Sequence, residues 1–198
     1  MLPQKRENCL NHASEEALKF SSEELNTHEQ LTVIRFNEAG EFTKNLLKIA
    51  FEEKGFKVEK TRYGRDLVIS LSNTNKIIDI EVKSTSNAGS VSMTSFQTET
   101  AIQKGKDYFL CVVNKENMAM TKESIMENSK FVSKIGSSLI EKYNQAQSFN
   151  SKKSDLEKEQ EGIGIFIENM SYYKYQISHN IWKNGISFNE FINLILVR

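Results

Sequence analysis

The alternation of apolar and polar residues is sharpest in the middle of the chain. Ala39, Phe42, Leu46, Ile49 and Ala50 recur at steps of three and four, the spacing of one face of an amphipathic helix, and Gly55 marks its end. Phe56–Lys60 alternates with a period of two and predicts a strand. The apolar stretch Leu67–Leu71 predicts a second strand, with Asn73-Thr74-Asn75 as turn material behind it. In Ile78-Asp79-Ile80-Glu81-Val82-Lys83 the alternation has no break, so Ile78, Ile80 and Val82 share one face and Asp79, Glu81 and Lys83 the other. A small polar loop is expected over 84–92, a helix over 94–104, and a buried strand over the apolar, β-rich residues 108–113. The order of the core is therefore α-β-β-β-α-β.

Farther along, Val132, Ile135, Leu139 and Tyr143 predict another helix. Residues 151–161 carry seven charges in eleven positions and predict a solvated loop or helix end. Residues 163–167 and 172–177 predict the two arms of a β-hairpin, and 188–196 a closing helix. Residues 1–30 are polar, with a weak helical pattern around Ala17, Leu18 and Leu25. The chain thus divides into an N-terminal arm over 1–30, a core over 31–115, and an extension over 116–198 packed on that core.

Composition narrows the function classes. Lys plus Arg and Asp plus Glu both total 26, so bulk charge does not draw the chain onto phosphate, and nucleic-acid binding must rest on a local patch. Cys9 and Cys111 form no CxxC or Cys/His array, which points away from disulfides and structural zinc and toward a reducing compartment. The first residues lack the apolar segment of a signal peptide, and no apolar run approaches a membrane span. A cytoplasmic protein without membrane contact is expected.

One constellation carries chemistry. Asp66 precedes the second strand, and Glu81 and Lys83 stand side by side on the polar face of the third while Val82 anchors the strand. If the two strands are neighbours, Asp66 meets Glu81 at one end of the sheet. Paired carboxylates repel unless a cation lies between them, and oxygen ligands suit Mg²⁺ or Mn²⁺ rather than zinc. A lysine beside such a site can orient or deprotonate an attacking water, or offset charge developing at phosphorus. The plain alternative is a strand with a charged outer face, which is common.

The combination resembles the PD-(D/E)xK nuclease superfamily, with its restriction-endonuclease-like fold. Within it the likeness is to Mrr-like restriction enzymes and to NO VEIN C-terminal type domains of bacterial defence proteins. It runs from Asn37 to Val113 through Ala39-Gly40-Glu41-Phe42, Gly64-Arg65-Asp66-Leu67, Ile80-Glu81-Val82-Lys83-Ser84-Thr85, and the segment from Thr94-Ser95-Phe96-Gln97 to Asp107-Tyr108-Phe109-Leu110. The proline often found before the family's aspartate is Arg65 here.

The resemblance implies an α/β fold with a mixed central sheet, to which the residue pattern adds a C-terminal helix, hairpin and helix. It implies a Mg²⁺-dependent DNA endonuclease of restriction or phage-defence type, with Mn²⁺ able to substitute. Asp66, Glu81 and the Val82 carbonyl would hold the metal, Glu41 would complete the site, and Lys83 would act on the water. Glu38 is the rival to Glu41, and either could be merely solvated. Gln97 matches a polar position facing the site, and could equally be a surface residue.

Basic residues gather ahead of the site: Lys54, Lys57, Lys60, Arg62 and Arg65, with Tyr63 among them and Glu59 the sole acid. Such a stretch suits a phosphate backbone, and a solvated hairpin is the alternative. Ser84 and Thr85 could hydrogen-bond a phosphate or form a turn. Neutral net charge suggests work as a homodimer or beside an ATPase or DNA-recognition partner. A non-catalytic DNA-binding or assembly subunit of a defence complex, with the same fold and an idle site, is the competing reading.

Overall fold

The structure is a computed structural model that describes residues 39–61, 64–71, 76–158 and 174–197. The chain divides into two units, Met1–Phe42 and Thr43–Arg198. Helix α1 spans 39–53, and Gly55 follows it at φ +86°. Strands β1 (Phe56–Lys60), β2 (Leu67–Leu71) and β3 (Ile77–Thr85) come next. They are followed by β4 (Val91–Thr94), helix α2 (Ser95–Lys104) and β5 (Tyr108–Asn114). The remainder is α3 (Lys122–Glu127), β6 (Ser129–Ser133), α4 (Ile135–Lys158), β7 (Lys174–Ile177), α5 (His179–Trp182), β8 (Ile186–Ser187) and α6 (Phe188–Val197).

Six strands form one sheet in the order β1-β2-β3-β5-β6-β8. Only β3 and β5 run parallel, aligned from Asp79↔Tyr108 to Thr85↔Asn114, so the sheet is mixed. A parallel neighbour needs a crossover, and β4 and α2 supply it. β6 and β8, both beyond residue 116, continue the same sheet.

Two apolar layers cover the sheet. On one face Ile78, Ile80, Val82, Phe109, Cys111 and Val113 pack with Leu47 and Phe51 of α1 and with Phe188 and Phe191 of α6. Phe131 stacks on Phe191 at 4.2 Å and 7°, while Phe51 meets Phe131 edge-on at 6.1 Å. On the other face Tyr108, Leu110 and Val112 pack with α2, α4, β4, β7 and Trp182. This second layer corrects the picture of a half-solvated β3. Asp79 and Glu81 do alternate away from Ile78, Ile80 and Val82, but both are 1% exposed because helices lie over their face as well.

The α-β-β-β-α-β order expected from the pattern is present, and β1 and β2 have the expected limits. Two expectations are corrected. The loop of 84–92 runs into β4, whose four residues alternate buried and exposed too briefly to stand out from a Ser-rich segment. Val132 belongs to strand β6, not to the following helix. Residues 151–158 continue α4, the helix end that is one of the two alternatives expected there, and 159–161 lie outside the described residues. The first arm of the predicted hairpin, 163–167, lies outside the described residues, and β7 pairs with β4 in a separate two-stranded sheet. The N-terminal arm over 1–30 also lies outside them. Among the described residues no helix is long and apolar enough to cross a membrane.

Candidate active site

The end of β2 and the middle of β3 meet through Asp66. Its backbone N–H donates to the Ile80 carbonyl at 2.8 Å, and its Oδ2 accepts the Val82 N–H at 2.8 Å. The carboxylate thus takes over the edge of β3 where β2 has stopped. In an extended strand the N–H and C=O of one residue project to the same edge, so the Val82 carbonyl is directed to Asp66's side. The other oxygen, Oδ1, is 2.7 Å from the ammonium of Lys44 on α1.

Glu81 and Lys83 share a face of β3, as their spacing requires, and pair at 2.8 Å. Gln97 reaches both: its Oε1 accepts from Lys83 at 3.1 Å and its amide Nε2 donates to Glu81 Oε1. The same Gln97 is the third helical residue of a capping box, its Oε1 taking the Thr94 N–H at 2.9 Å while the Thr94 hydroxyl takes the Gln97 N–H at 3.2 Å. The start of α2 is thereby fastened to the carboxylate on β3.

Burial pushes the Glu81 carboxyl up to about 7, and the negative charge of Asp66 adds to the effect while Lys83 and Lys44 oppose it. Its second oxygen, Oε2, is buried without a hydrogen-bond partner among the described residues. A buried orphan carboxylate oxygen is costly unless something cationic completes it. Among the described residues no group of three or more His, Cys, Asp and Glu side chains is arranged to hold a metal. The available donors are two carboxylates and one backbone carbonyl. Such an all-oxygen set fits Mg²⁺ or Mn²⁺, which commonly use one or two carboxylates and keep waters for the rest.

The turn that presents Asp66 is held from three sides. Gly64 lies at φ +70°, and a Cβ there would come within 2.2 Å of Thr100 Oγ1 on α2. The Tyr108 hydroxyl donates to the Gly64 carbonyl at 2.9 Å. Arg65 binds the buried Asp79 carboxylate at 2.9 Å, and Lys104 stands 3.3 Å from the same oxygen. An ion pair to the strand beneath thus restrains this turn where a proline would restrain it through a fixed φ.

The other residues singled out from sequence fare differently. Glu41 is exposed in the first turn of α1, in the N-terminal unit, and Glu38 lies outside the described residues. Lys57 is exposed on edge strand β1 and pairs with Glu59 at 2.9 Å. Lys60 donates to Asn45 at 3.0 Å. Arg62 and Tyr63 are outside the described residues. Arg65 faces Asp79 rather than lying open as an outward basic patch would require. Ser84 is exposed, whereas the Thr85 hydroxyl is buried and occupied, donating to Asn87 at 3.2 Å and accepting the Gly89 N–H at 3.1 Å. Thr85, the last residue of β3, is tied to the turn that follows it.

Sequence reasoning missed Lys44, which looks like any other lysine of a charged helix. It also missed the pairing of Asp79 with Arg65. The capping box was legible in Thr94-Ser95-Phe96-Gln97, a Thr followed three residues later by Gln at a helix start.

The fold is thus an α/β protein with a mixed central sheet, carrying an aspartate just before β2 and a Glu-x-Lys on β3. Residues 33–127 match the family model described as Protein NO VEIN, C-terminal, a span holding Glu41, Asp66, Glu81, Lys83 and Gln97. Among solved structures the chain is similar to Hjc, a Holliday junction resolvase from Archaeoglobus fulgidus, at 11% identity and a TM-score of 0.45, covering 78% of this chain and 96% of that one. No curated protein matches the chain.

Proposed function

We propose that this protein is a metal-dependent DNA endonuclease of restriction or phage-defence type that hydrolyses phosphodiester bonds by attack of water. The observation that carries the reading is that Asp66 accepts the Val82 N–H on β3, next to a Glu81 that is paired with Lys83 and buried with its Oε2 unpartnered. Asp66, Glu81 and the Val82 carbonyl would hold Mg²⁺ or Mn²⁺. Bound there, the cation supplies Lewis-acid charge at the phosphoryl group.

The remaining steps belong to the chain. Lys83, held between Glu81 and Gln97, is not a ligand while protonated; its ammonium is placed to orient a water and to offset charge on the phosphoryl oxygens. Gln97 fixes which way that ammonium points. Burial of Glu81 keeps bulk water from competing for its oxygens. Lys57, Lys60, Arg62 and Ser84 are the candidate phosphate contacts, and DNA is the partner expected.

The competing reading, a nuclease-fold subunit that binds DNA or assembles a complex without cutting, has one observation in its favour. Lys44 and Lys83 already compensate both carboxylates without a metal. Incubating supercoiled plasmid with the protein in Mg²⁺, in Mn²⁺ and in EDTA separates the two. Nicked or linear product confined to the metal arms is the expected outcome. Intact plasmid in every arm together with a mobility shift in EDTA would favour the binding subunit.

A further inference from the structure

We propose that Lys44 is a resident counter-cation for Asp66 that yields when a substrate phosphate arrives, so that DNA and the divalent metal load the site together. This rests on the metal-dependent reading above. Both Asp66 oxygens are occupied, Oδ2 by the Val82 N–H at 2.8 Å and Oδ1 by the Lys44 ammonium at 2.7 Å. On Glu81, Oε1 is taken by Lys83 and Gln97, and Oε2 is unpartnered. Each Asp66 oxygen keeps a second lone pair, but a divalent cation bridging the two side chains would stand close to the Lys44 ammonium, and the repulsion of like charges favours the departure of Lys44.

The two donors differ in mobility. The Val82 N–H belongs to the backbone of a strand paired along its length with β5, whereas Lys44 ends a flexible four-carbon stem and is 22% exposed. Lys44 is the group that moves. Leaving Asp66 costs the ammonium a charge-assisted hydrogen bond, and a DNA phosphate at the mouth of the site offers it an equivalent anion. DNA thus releases Asp66 Oδ1 for the metal. Linkage requires that each ligand then tighten the other by the same factor.

The test measures bound Mn²⁺ by the loss of its free electron-paramagnetic-resonance signal, with and without a saturating short duplex, after subtracting what the duplex alone takes up. In the wild type the duplex is expected to tighten Mn²⁺ about tenfold. Lys44→Met is expected to bind Mn²⁺ about as tightly without DNA as the wild type does with it, and to gain little from the duplex. Lys44→Arg, which keeps the charge on a better carboxylate partner, is expected to bind Mn²⁺ no more tightly than the free wild type. Lys48→Met removes a charge one turn along the same helix, from a residue paired with Glu52 at 3.6 Å, and is expected to track the wild type. The proposal is overturned if Lys44→Met keeps the wild-type affinity or the full gain from DNA, or if Lys48→Met mimics it, which would reduce the effect to bulk charge. A wild type that takes up no Mn²⁺ in either condition overturns the metal reading itself, a result none of the other outcomes produces.

Discussion

At the scale of single residues, the proposed function separates groups that bind from a group that acts. Lys83→Ala is expected to retain Mn²⁺ and DNA binding and to lose cleavage by about 10²–10³-fold, since its work lies in the transition state. Asp66→Ala removes a ligand, so cleavage should fall with metal affinity and recover in part at high Mn²⁺. Wild-type cleavage by Lys83→Ala would remove the lysine from the chemistry. Glu81 adds a pH signature. Its carboxyl is raised to about 7 in the folded protein, against an ordinary value of 4.5, so the folded state holds the proton more tightly than the unfolded state. The stability this confers is present at low pH and is lost as pH rises from about 4.5 through about 7. Metal affinity runs the other way, increasing to about pH 7 as the proton leaves, because a ligand must be deprotonated. Melting temperatures at pH 5 and pH 8, with and without Mg²⁺, should show a stabilisation by Mg²⁺ confined to the higher pH. Glu81→Gln should abolish the Mg²⁺ effect and flatten the metal-free pH dependence, and a Mg²⁺ effect that survives in this variant would exclude Glu81 as a ligand.

At the scale of elements, the geometry of the site is set by where β2 begins and where α2 begins. The Asp66 turn is clamped by a glycine with no room for a side chain, a tyrosine hydroxyl and an arginine held to the strand beneath. Gly64→Ala should destabilise the protein by about 1–3 kcal/mol, through a left-handed backbone conformation and overpacking against Thr100. Urea denaturation measures that cost. Relief by the second substitution Thr100→Ala would trace it to the clash, and no relief would leave the backbone conformation as its cause. A comparable close approach joins α2 to α4, where a Cβ on Gly136 would come within 2.3 Å of the Ala101 carbonyl. Helix α2 therefore carries Gln97 to Glu81 as part of a packed pair rather than alone.

At the scale of the whole molecule, the proposed function requires a chain with equal numbers of acidic and basic residues to concentrate its DNA contacts. Edge strand β1 leaves Lys57 and Lys60 both exposed, on opposite faces of the strand. The same lysines discourage edge-to-edge pairing of an open strand, so their presence alone does not establish a phosphate contact. Lys57→Glu with Lys60→Glu should lower DNA affinity and flatten the slope of log K against log salt by about 0.9 for each lost phosphate contact. A salt titration with unchanged slope would move the DNA surface elsewhere. Both residues are exposed and their loss should leave the melting temperature nearly unchanged, which separates lost contact from lost fold.

The sequence by itself determined the elements with strong periodicity: the helix before Gly55, strands β1 and β2, the unbroken alternation of β3, and the apolar run of β5. It also determined that Glu81 and Lys83 share a face, because alternation is a local property of an extended backbone. Weak or short patterns were lost, as with β4 and with β6, whose Val132 fitted a helical spacing that continued into α4. Only the tertiary structure decided that the polar face of β3 is buried, since burial depends on what later segments lay over it. That burial, not the residue type, raises Glu81 and leaves Asp79 to be neutralised by Arg65 and Lys104. Only the tertiary structure brought Lys44 to Asp66 and turned Arg65 inward. A side chain's partner across the fold depends on packing between elements distant in sequence, and the local pattern carries no trace of it.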